Sequence, residues 1–367
     1  MTLEEKIKDI EEEISNTPYN KATQHHIGKL KAKLAQLREQ VVKKASAGRG
    51  GGGFGVKKSG HATVVLIGFP SVGKSTLLNK LTSAKSAIGD YEFTTLEVVP
   101  GIMEHRDTKI QILDIPGIIT GASSGKGRGR EILSIARTAD LIVILLDIFQ
   151  PQQLDVIRRE LYNAGIRLNQ HPPNADIKKT SRGGVTLLAS PGLELTKVDE
   201  KMAREILNMY GIHNADVTIR EDISPEQLID SIVENRAYIP AVVIVNKIDM
   251  AEEDYGEFIK SEIKEDFIPI SADKGSNIDL LKDKIFEKLD VIRVYMKPQG
   301  KKADMEEPLI IRRGSNVGDV CDLLHGAFRE KFRYAKIWGK SVKFPGQKKG
   351  LSHVFADKDI LMLVKEK

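Results

Sequence analysis

Two stripes of apolar residues at helical spacing open the chain. The first consists of Leu3, Ile7, Ile10 and Ile14, and the second of Ile27, Leu30, Leu34, Leu37 and Val41. Residues three and four apart share one face of a helix, so each stripe predicts an amphipathic helix. The segment Asn16-Thr17-Pro18 separates the stripes and ends the first helix. Each stripe needs a partner that buries it, and we therefore predict a helical hairpin over residues 1–47.

The pattern changes after residues 48–59, a glycine-rich stretch that reads as a flexible linker. Apolar residues now form short continuous runs at 63–67, 110–113, 141–147 and 242–245. Such runs are typical of buried strands, and helical spacing follows the first of them. We predict an α/β domain made of residues 60–164 and 240–290.

A second set of elements interrupts this domain at residues 165–239. The pattern predicts strands at 184–189 and 215–220, helices at 197–210 and 224–235, and an exposed loop at 178–182. We interpret the segment as a small α+β insertion.

The C-terminal residues 291–367 predict a further domain. Strands are expected at 293–296, 309–312, 334–338, 340–344 and 360–364, with a helix at 317–328. Two strands before the helix and three after it indicate a ubiquitin-like β-grasp.

The first apolar run leads directly into a glycine loop. Its residues are Gly68, Phe69, Pro70, Ser71, Val72, Gly73, Lys74, Ser75 and Thr76, which fit the pattern G-x-x-x-x-G-K-S. A strand, this loop and a helix in succession bind phosphate through backbone N–H groups. Lys74 can bridge the β- and γ-phosphates of a nucleotide, and the Ser75 hydroxyl can bind Mg²⁺. The alternative, a glycine-rich turn without function, leaves the flanking strand and helix unexplained.

A second candidate phosphate contact follows the run at 110–113, which ends in Asp114, Ile115, Pro116 and Gly117. Asp114 can hold Mg²⁺ through water, and the Gly117 N–H can reach the γ-phosphate. Residues 90–95 lie between these two loops and offer the Thr95 hydroxyl to Mg²⁺ and the γ-phosphate. Thr94 stays open as an alternative because two adjacent hydroxyls differ only in direction.

The run at 242–245 ends in Asn246, Lys247, Ile248 and Asp249. The Asp249 carboxylate can accept hydrogen bonds from N1–H and the 2-amino group of guanine, two donors that adenine lacks. The backbone of Ser271 and Ala272, after another short strand, can meet guanine O6. These residues predict guanine as the base.

Taken in order, these stretches resemble the five nucleotide-binding motifs of translation-factor-class GTPases. The motif sequences are similar to those of the Obg-related group: G-F-P-S-V-G-K-S, F-T-T-L, D-I-P-G-I and N-K-I-D. When the regions that flank these motifs are included, the chain resembles the developmentally regulated GTP-binding (DRG) family. The resemblance covers almost the whole chain. It implies a P-loop GTPase domain, an insertion similar to the second domain of ribosomal protein S5, and a C-terminal TGS domain.

The resemblance also implies a chemistry and partners. GTP is the expected substrate, GDP the product and Mg²⁺ the cofactor, with Lys74, Thr95 and Gly117 as the expected catalytic residues. The expected partners are the ribosome and its RNA, together with a zinc-finger regulatory protein if the source is a eukaryote.

The residue after Gly117 bears on the expected rate of GTP hydrolysis. Ras-like enzymes have a Gln there that orients the attacking water, whereas this chain has Ile118. We therefore expect slow intrinsic hydrolysis, and Arg128 or Arg130 are candidates for a positive charge supplied in cis. Some GTPases of this kind hold K⁺ with an Asn of the phosphate loop, but the matching residue here is Ser71, so K⁺ dependence stays open.

Positive charge is concentrated outside the nucleotide-binding motifs. Residues 21–58 contain ten Lys or Arg and one acid, and residues 326–350 contain eight and one, within a net charge of +5. Both stretches can face RNA; an acidic partner or solvent are the alternatives for the first. Tyr334, Trp338 and Phe344 lie within the second stretch, and we expect these aromatic residues in the domain core rather than on RNA.

The cysteine content and the lengths of the apolar runs indicate the cellular compartment. A single cysteine, Cys321, fits a reducing cytosol and is expected to be a buried small residue. No run reaches the length that spans a bilayer, and no secretory signal is recognised, so we expect a cytoplasmic protein with no membrane and no DNA partner.

Two rival functions stay open. One is an ATPase, which the intact Asp249 motif disfavours. The other is a scaffold with a structural GTP site, which the set of Lys74, Ser75 and Asp114 disfavours.

Overall fold

The computed structural model describes residues 2–20, 22–46, 59–82, 98–116, 129–233, 235–251, 255–324 and 329–365. Its helices are α1 (Leu3–Asn16), α2 (Gln24–Ser46), α3 (Lys74–Leu81), α4 (Gly129–Ala136), α5 (Gln153–Asn163), α6 (Glu200–Met209), α7 (Pro225–Ile232), α8 (Tyr255–Glu262), α9 (Ile278–Leu289) and α10 (Val317–Leu324). Its strands are β1 (Ala62–Ile67), β2 (Val99–His105), β3 (Thr108–Asp114), β4 (Leu141–Asp147), β5 (Ile166–Leu168), β6 (Ala175–Lys179), β7 (Val185–Ala189), β8 (Ala215–Ile219), β9 (Ala237–Ile239), β10 (Ala241–Asn246), β11 (Phe267–Pro269), β12 (Val291–Met296), β13 (Leu309–Arg312), β14 (Phe332–Trp338), β15 (Gln347–Lys349) and β16 (Asp359–Lys365).

These elements belong to two compact units. The first unit comprises the described residues of Met1–Gly55, Ile118–Arg137 and Asp155–Ile239. The second unit comprises those of Val56–Gly117, Thr138–Leu154 and Pro240–Lys367.

A six-stranded sheet in the order β11-β10-β4-β1-β3-β2 forms the centre of the second unit. β1 pairs in parallel with β3 and β4, and β10 pairs in parallel with β4 and β11. Every residue of β1 and β10 is buried, which explains why their sequences are continuous apolar runs. The predicted α/β fold is confirmed. Because these strands are parallel, the loops that follow them open at one edge of the sheet, where ligands bind in such folds.

The strand β2 joins this sheet antiparallel to β3, and the two form a hairpin. Its connecting residues Arg106 and Asp107 take left-handed φ values of 48° and 59°. Left-handed values at both central residues are the geometry of a type I′ turn, which suits a two-residue hairpin connection. The predicted hairpin before Asp114 is therefore confirmed.

The C-terminal part of the second unit is a five-stranded sheet in the order β13-β12-β16-β14-β15. Its core contains Val317, Val320 and Cys321 of α10, which confirms the expected burial of the cysteine. The strand predicted at 340–344 is wrong. Those residues form turns, Phe344 is exposed, and β15 supplies the fifth strand instead. Gly346, with a φ of 74°, ends the turn and lets the chain return along β14.

The insertion in the first unit contains a three-stranded sheet in the order β6-β8-β7, with β6 antiparallel and β7 parallel to β8. The helices α6 and α7 contribute to its core, which includes Ile206 and Leu228. The predicted strands and helices are confirmed, but the loop expected at 178–182 is partly wrong. Lys178 and Lys179 belong to β6, whose inward residues are too few to reveal a strand in the sequence.

The predicted N-terminal helical hairpin is confirmed. α1 and α2 pack through Ile10, Leu30, Leu34 and Leu37. The Thr2 hydroxyl accepts from the Glu5 N–H, and the Glu5 carboxylate accepts from the Thr2 N–H, which completes a capping box at the start of α1. None of the described helices is long and apolar enough to cross a membrane.

Three basic residues of α2 pair with acids of the same unit. Lys29 lies 3.2 Å from Glu205 of α6, and Arg38 lies 2.7 Å from Glu11 of α1. Lys31 pairs with Glu226 of α7. Lys29, Lys31 and Arg38 therefore have their acidic partners within this chain itself.

A buried ion pair joins β5 to α7 at the base of the insertion. Arg167 donates from Nε and Nη2 to the two carboxylate oxygens of Asp230 at 2.6 and 2.8 Å. Both side chains are only 4% exposed. Arg236 donates to the same carboxylate at 2.8 Å, so Asp230 accepts from two guanidinium groups.

We expect Asp230→Ala to destabilise the protein by about 3–5 kcal/mol, because it leaves the buried Arg167 without its counter-ion. Asp290→Asn is the matched control, because Asp290 takes a left-handed φ of 49°, which Asn tolerates and Ala does not. Its partner Arg313 lies at a similar 2.7 Å, but the two side chains are 62% and 63% exposed. Loss of an exposed pair is expected to cost less than about 1 kcal/mol. Urea unfolding of both variants measures the difference, and equal midpoints would contradict the prediction.

Candidate functional site

The glycine loop lies between the buried end of β1 and the start of α3, as predicted. Gly73 caps α3 with a left-handed φ of 96°. A Cβ on Gly73 would lie 2.4 Å from Asn246 Nδ2, and one on Gly68 would lie 2.5 Å from the Leu145 carbonyl oxygen. Both glycines of the motif are thus required by close packing, independently of any ligand.

Lys74, the first residue of α3, folds back across this loop. Its Nζ donates to the carbonyl oxygens of Gly68 at 3.2 Å and Phe69 at 3.0 Å. The residue is 8% exposed, and this burial lowers the pKa of Lys74, while the Asp114 carboxylate acts in the opposite direction. A desolvated ammonium group beside free backbone N–H groups is suited to bind phosphate oxygens.

Ser75 and Asp114 meet at the carboxyl edge of the sheet. The Ser75 hydroxyl donates to Asp114 Oδ2 at 2.6 Å. Asp114 ends β3 and is 6% exposed, whereas Ser75 and the following Thr76 are exposed. A hydroxyl and a carboxylate oxygen at this spacing are the ligand types that Mg²⁺ prefers, so the described residues fit the ion. Ile115 is buried behind them, and Pro116 is half-buried.

Asn246 connects three loops at this edge. Its Nδ2 donates to the Val72 carbonyl oxygen at 2.8 Å, and its Oδ1 accepts from the Ala272 N–H at 2.9 Å. The residue is 3% exposed and ends β10. Its amide therefore fixes the phosphate loop relative to the two segments predicted to hold the base.

The base-binding segments carry one ionised acceptor. Asp249 is exposed, and a hydrogen bond from the Ser271 side chain lowers the pKa of its carboxyl group. Ser271 itself is fully buried. The arrangement keeps a carboxylate available at the surface, as the recognition of two guanine N–H donors requires. Lys247, between Asn246 and this carboxylate, donates from Nζ to Asp147 Oδ2 at 2.6 Å.

Several predicted residues lie outside the described residues: Thr94, Thr95, Gly117, Ile118 and Arg128. Arg130 lies in α4, where only its backbone is described. The catalytic roles of Thr95 and Gly117 therefore stay predictions. Pro70 and Ser71 are exposed in the loop, and Ser71 takes a left-handed φ of 63°; the question of K⁺ stays open.

The sequence reasoning missed Asp147. The sequence did offer a signal for this residue, because Asp147 is an acid at the end of an otherwise apolar strand. The strands that lead into the nucleotide-binding motifs end at the same edge of the sheet. Its partner Lys247 is 100 residues away in the sequence, so no local pattern connects the two.

Comparison with known families accounts for most of the chain. Residues 63–179 match the family described as "50S ribosome-binding GTPase", and residues 182–291 match the "C-terminal region of MMR_HSR1 domain". Residues 292–365 match the TGS domain.

Two relatives match over nearly their full length. An uncharacterized GTP-binding protein of Methanocaldococcus jannaschii is 58% identical over 367 residues, which cover 99% of this chain and 93% of the relative. The developmentally-regulated GTP-binding protein 2 homolog of Dictyostelium discoideum is 46% identical over 369 residues, and the match covers 100% of both chains. This chain belongs to the DRG family. It is a GTP hydrolase with a P-loop GTPase domain and a C-terminal TGS domain.

Among solved structures, the YchF GTPase of Schizosaccharomyces pombe is similar to this DRG protein. The alignment has 14% sequence identity and a TM-score of 0.46, and it covers 84% of this chain and 99% of the YchF chain.

We expect Lys74→Ala to weaken GTP binding on the order of 100-fold, because a buried cation with charge-assisted hydrogen bonds to phosphate is lost. Lys80→Ala is the matched control, since Lys80 lies in the same helix and is exposed. Equilibrium titration with a fluorescent GTP analogue measures both affinities, and circular dichroism reports folding. A folded Lys74→Ala protein with unchanged affinity would refute the assignment of the phosphate loop.

Base selection is expected to depend on Asp249. Asp249→Asn replaces an acceptor with a group that can donate, so guanine should bind on the order of 100-fold more weakly. Xanthine nucleotides, which carry a carbonyl at position 2, should gain affinity. Competition between GTP, XTP and ATP for one labelled nucleotide tests this. Equal competition by ATP and GTP in the unmutated protein would instead support the ATPase alternative.

Proposed function

We propose that the protein is a GTP-hydrolysing molecular switch that associates with ribosomes in the cytoplasm. The single observation that supports the ribosomal partner best is a basic and aromatic sheet face in the C-terminal domain. The family description "50S ribosome-binding GTPase" agrees with this assignment. The predicted domain boundaries and the likeness of the insertion to ribosomal protein S5 are retained as part of the proposal.

The sheet face in question is formed by β14 and β15. Ala335 and Ile337 are fully buried in the domain core, whereas Tyr334, Lys336 and Trp338 lie on the opposite side of β14 and are partly exposed. Our expectation that Tyr334 and Trp338 belong to the core was therefore wrong. The burial alternates along β14, and side chains alternate between the faces of a strand, so these two aromatic residues share a face with Lys336.

Cations accompany both aromatic rings on this face. Lys348 Nζ lies 4.7 Å from the centroid of the Tyr334 ring, and Lys297 Nζ lies 5.8 Å from that of Trp338. Lys348 is also directly opposite Lys336 in the β14–β15 register. A sheet face that presents aromatic rings among lysines combines attraction for the nucleic-acid backbone with surfaces on which bases can stack. RNA is the expected partner of this face, and the α2 helix is less suited because Lys29 and Lys31 already pair with acids.

Each residue of the nucleotide site has a role in this proposal. Lys74 binds the β- and γ-phosphates, the N-terminus of α3 supplies N–H donors, and Asp249 reads guanine. Ser75 and Asp114 would hold Mg²⁺, with Thr95 as a further ligand in the proposal. When bound, the ion would neutralise negative charge on the phosphate oxygens. Gly117 would donate its N–H to the γ-phosphate, and Ile118 in place of Gln gives a slow intrinsic rate.

Ribosome binding should weaken steeply with salt. Each phosphate contact contributes roughly 0.7–0.9 to the slope of log affinity against log salt concentration. The triple variant Lys297→Gln, Lys336→Gln, Lys348→Gln in the full chain removes the three lysines of this face and should therefore flatten the slope by about 2–3. Co-sedimentation with ribosomes across a salt series measures it, and GTP affinity should not change.

The control carries three Lys→Gln changes at Lys282, Lys284 and Lys288 of α9, which remove the same charge elsewhere in the second unit. Equal slopes for both variants would mean that the β14–β15 face is not the ribosome contact. Single-turnover GTP hydrolysis in the same mixtures separates a switch from a scaffold. A scaffold would show no turnover with or without ribosomes, whereas the proposed switch turns over slowly alone and faster with them.

A further inference from the structure

The hairpin of β2 and β3 ends in a turn whose residues do not suit its backbone shape. Arg106 and Asp107 have left-handed φ values of 48° and 59°. Asn followed by Gly is the usual pair in such a turn, because most residues with a Cβ rarely adopt these angles. A disfavoured backbone persists when contacts around it hold it. The contacts of these two residues therefore explain why they can occupy the turn.

The first set of contacts joins the turn to α9 of the GTPase domain. Arg106 Nη2 donates to Asp283 Oδ1 at 2.7 Å, and His105 Nε2 lies 2.8 Å from the same oxygen. The guanidinium carbon of Arg106 also lies 5.4 Å from the centroid of the Phe286 ring. Phe286 is buried in the core of the central sheet. One side of the turn is thus fixed within the GTPase domain.

The second set of contacts joins the turn to β12 of the C-terminal domain. Arg293 Nη1 donates to the Arg106 carbonyl oxygen at 3.3 Å and to Asp107 Oδ2 at 3.4 Å. The Tyr295 hydroxyl donates to the same Asp107 oxygen at 3.4 Å. The Arg293 side chain is only 9% exposed, so salt screens its attraction to Asp107 less than that of a surface pair. The turn is therefore held between α9 and the C-terminal sheet.

Asp357 sets the direction in which Arg293 donates. Asp357 Oδ1 accepts from the backbone N–H and Nε of Arg293 at 2.9 and 3.1 Å, and Oδ2 accepts from Nη2 at 2.7 Å. The guanidinium group is planar and its donors have fixed directions. Because two of its nitrogens are held by Asp357, the third points at the hairpin. A lysine ammonium group could pair with Asp357 but could not serve both partners in this way.

The strand β3 connects this turn to the nucleotide site. Thr108 lies at the turn, opposite His105, and Asp114 ends the strand opposite Val99. The two ends are about 20 Å apart at the usual rise of a strand. β3 is paired on both sides, with β1 and β2, and six of its seven residues are buried. A strand packed so closely transmits a displacement of one end to the other.

We propose that the contact of Arg293 with Asp107 couples the C-terminal domain to Mg²⁺ binding at the nucleotide site, with Arg293 as a positioning residue. The contact holds the turn of the hairpin, and the hairpin holds Asp114 beside Ser75. Coupling between two sites is reciprocal, so occupation of the ion site should in turn hold β12 more firmly. This inference rests on the proposed function, since it takes Asp114 as a ligand of Mg²⁺.

Two variants of the full chain interrupt the contact from its two sides. Asp107→Gly removes the carboxylate and gives the turn the residue that its backbone favours, so a disrupted hairpin cannot explain the result. Arg293→Lys keeps a cation for Asp357 and removes the Nη1 donor. GTP affinity is measured by titration with a fluorescent GTP analogue, once in excess Mg²⁺ and once in EDTA.

We expect each variant to bind GTP about fivefold more weakly in Mg²⁺, at the low end of couplings between sites. Affinity in EDTA should not change, because Asp114 takes part in binding only through the ion. The double variant should lose no more than either single variant, since both remove the same contact. A residue that served only the stability of the fold would not produce this dependence on Mg²⁺.

Amide hydrogen exchange gives a second measurement, at the other end of the coupling. Mg²⁺ with a non-hydrolysable GTP analogue should slow exchange in β12 of the unmutated chain about fivefold, by the same coupling. The analogue in EDTA should not slow it. In both variants the effect on β12 should disappear, while protection of the phosphate loop by the nucleotide persists.

Arg329→Lys is the matched control. It makes the same exchange in the C-terminal domain, where Arg329 pairs with Asp322 of α10. The control should keep the full response to Mg²⁺ in both measurements. If Arg293→Lys does not fold, Asp107→Gly alone should still lose the response.

Three results would overturn the inference: an undiminished Mg²⁺ response in Asp107→Gly, an equal loss in Arg329→Lys, or an equal loss of affinity in EDTA. Titration of the unmutated chain comes first and separates this inference from the proposed function. If that chain binds no GTP, or if Mg²⁺ does not strengthen binding, the proposed function fails. If Mg²⁺ strengthens binding equally in the unmutated chain and in both variants, only the coupling fails.

Discussion

The amide of Asn246 is the contact on which the nucleotide site depends. Parallel strands bring several loops to one edge, and contacts between the loops then fix them relative to one another. Asn246 does so by donating to Val72 at 2.8 Å and accepting from Ala272 at 2.9 Å. The same contact explains Gly73, because any Cβ there would lie 2.4 Å from the Asn246 amide nitrogen. Two residues of separate motifs are thus constrained by one close approach before any nucleotide binds.

Charge is distributed differently in the two units, and this difference is the basis of the RNA contact proposed above. In the first unit, lysines of α2 face acids of the insertion, and Asp230 is held by two arginines. Because the opposite charges in these pairs offset each other, they add little to the electrostatic field around the first unit. On β14 and β15 of the second unit, lysines lie opposite lysines and over aromatic rings. Like charges on neighbouring strands repel, so this arrangement costs stability in the free protein and is relieved when phosphates approach.

The sequence reasoning succeeded where a signal is local and failed where the partner is distant. Continuous apolar runs and motif spacing were enough to predict the parallel sheet, the glycine loop and the contact region of Asp114. The Lys247–Asp147 pair and the outward face of Tyr334 depend on strand register, which connects residues far apart in the chain. Short strands such as β6 and β15 also escaped correct prediction, because three to five residues carry too little alternation to outweigh neighbouring turns.

The strand that carries Asp114 also reaches the C-terminal domain. β3 begins after the Arg106–Asp107 turn, and Arg293 of β12 donates to the Arg106 carbonyl oxygen at 3.3 Å and to Asp107 at 3.4 Å. Arg293 is held in turn by Asp357 at 2.7 Å. Because a paired strand is stiff along its length, one end of β3 cannot shift far without affecting these contacts. The GTPase sheet and the sheet of the C-terminal domain are therefore joined by hydrogen-bonded charged groups within one unit. Ribosome affinity should accordingly be compared between the GTP and GDP states, not measured in one alone.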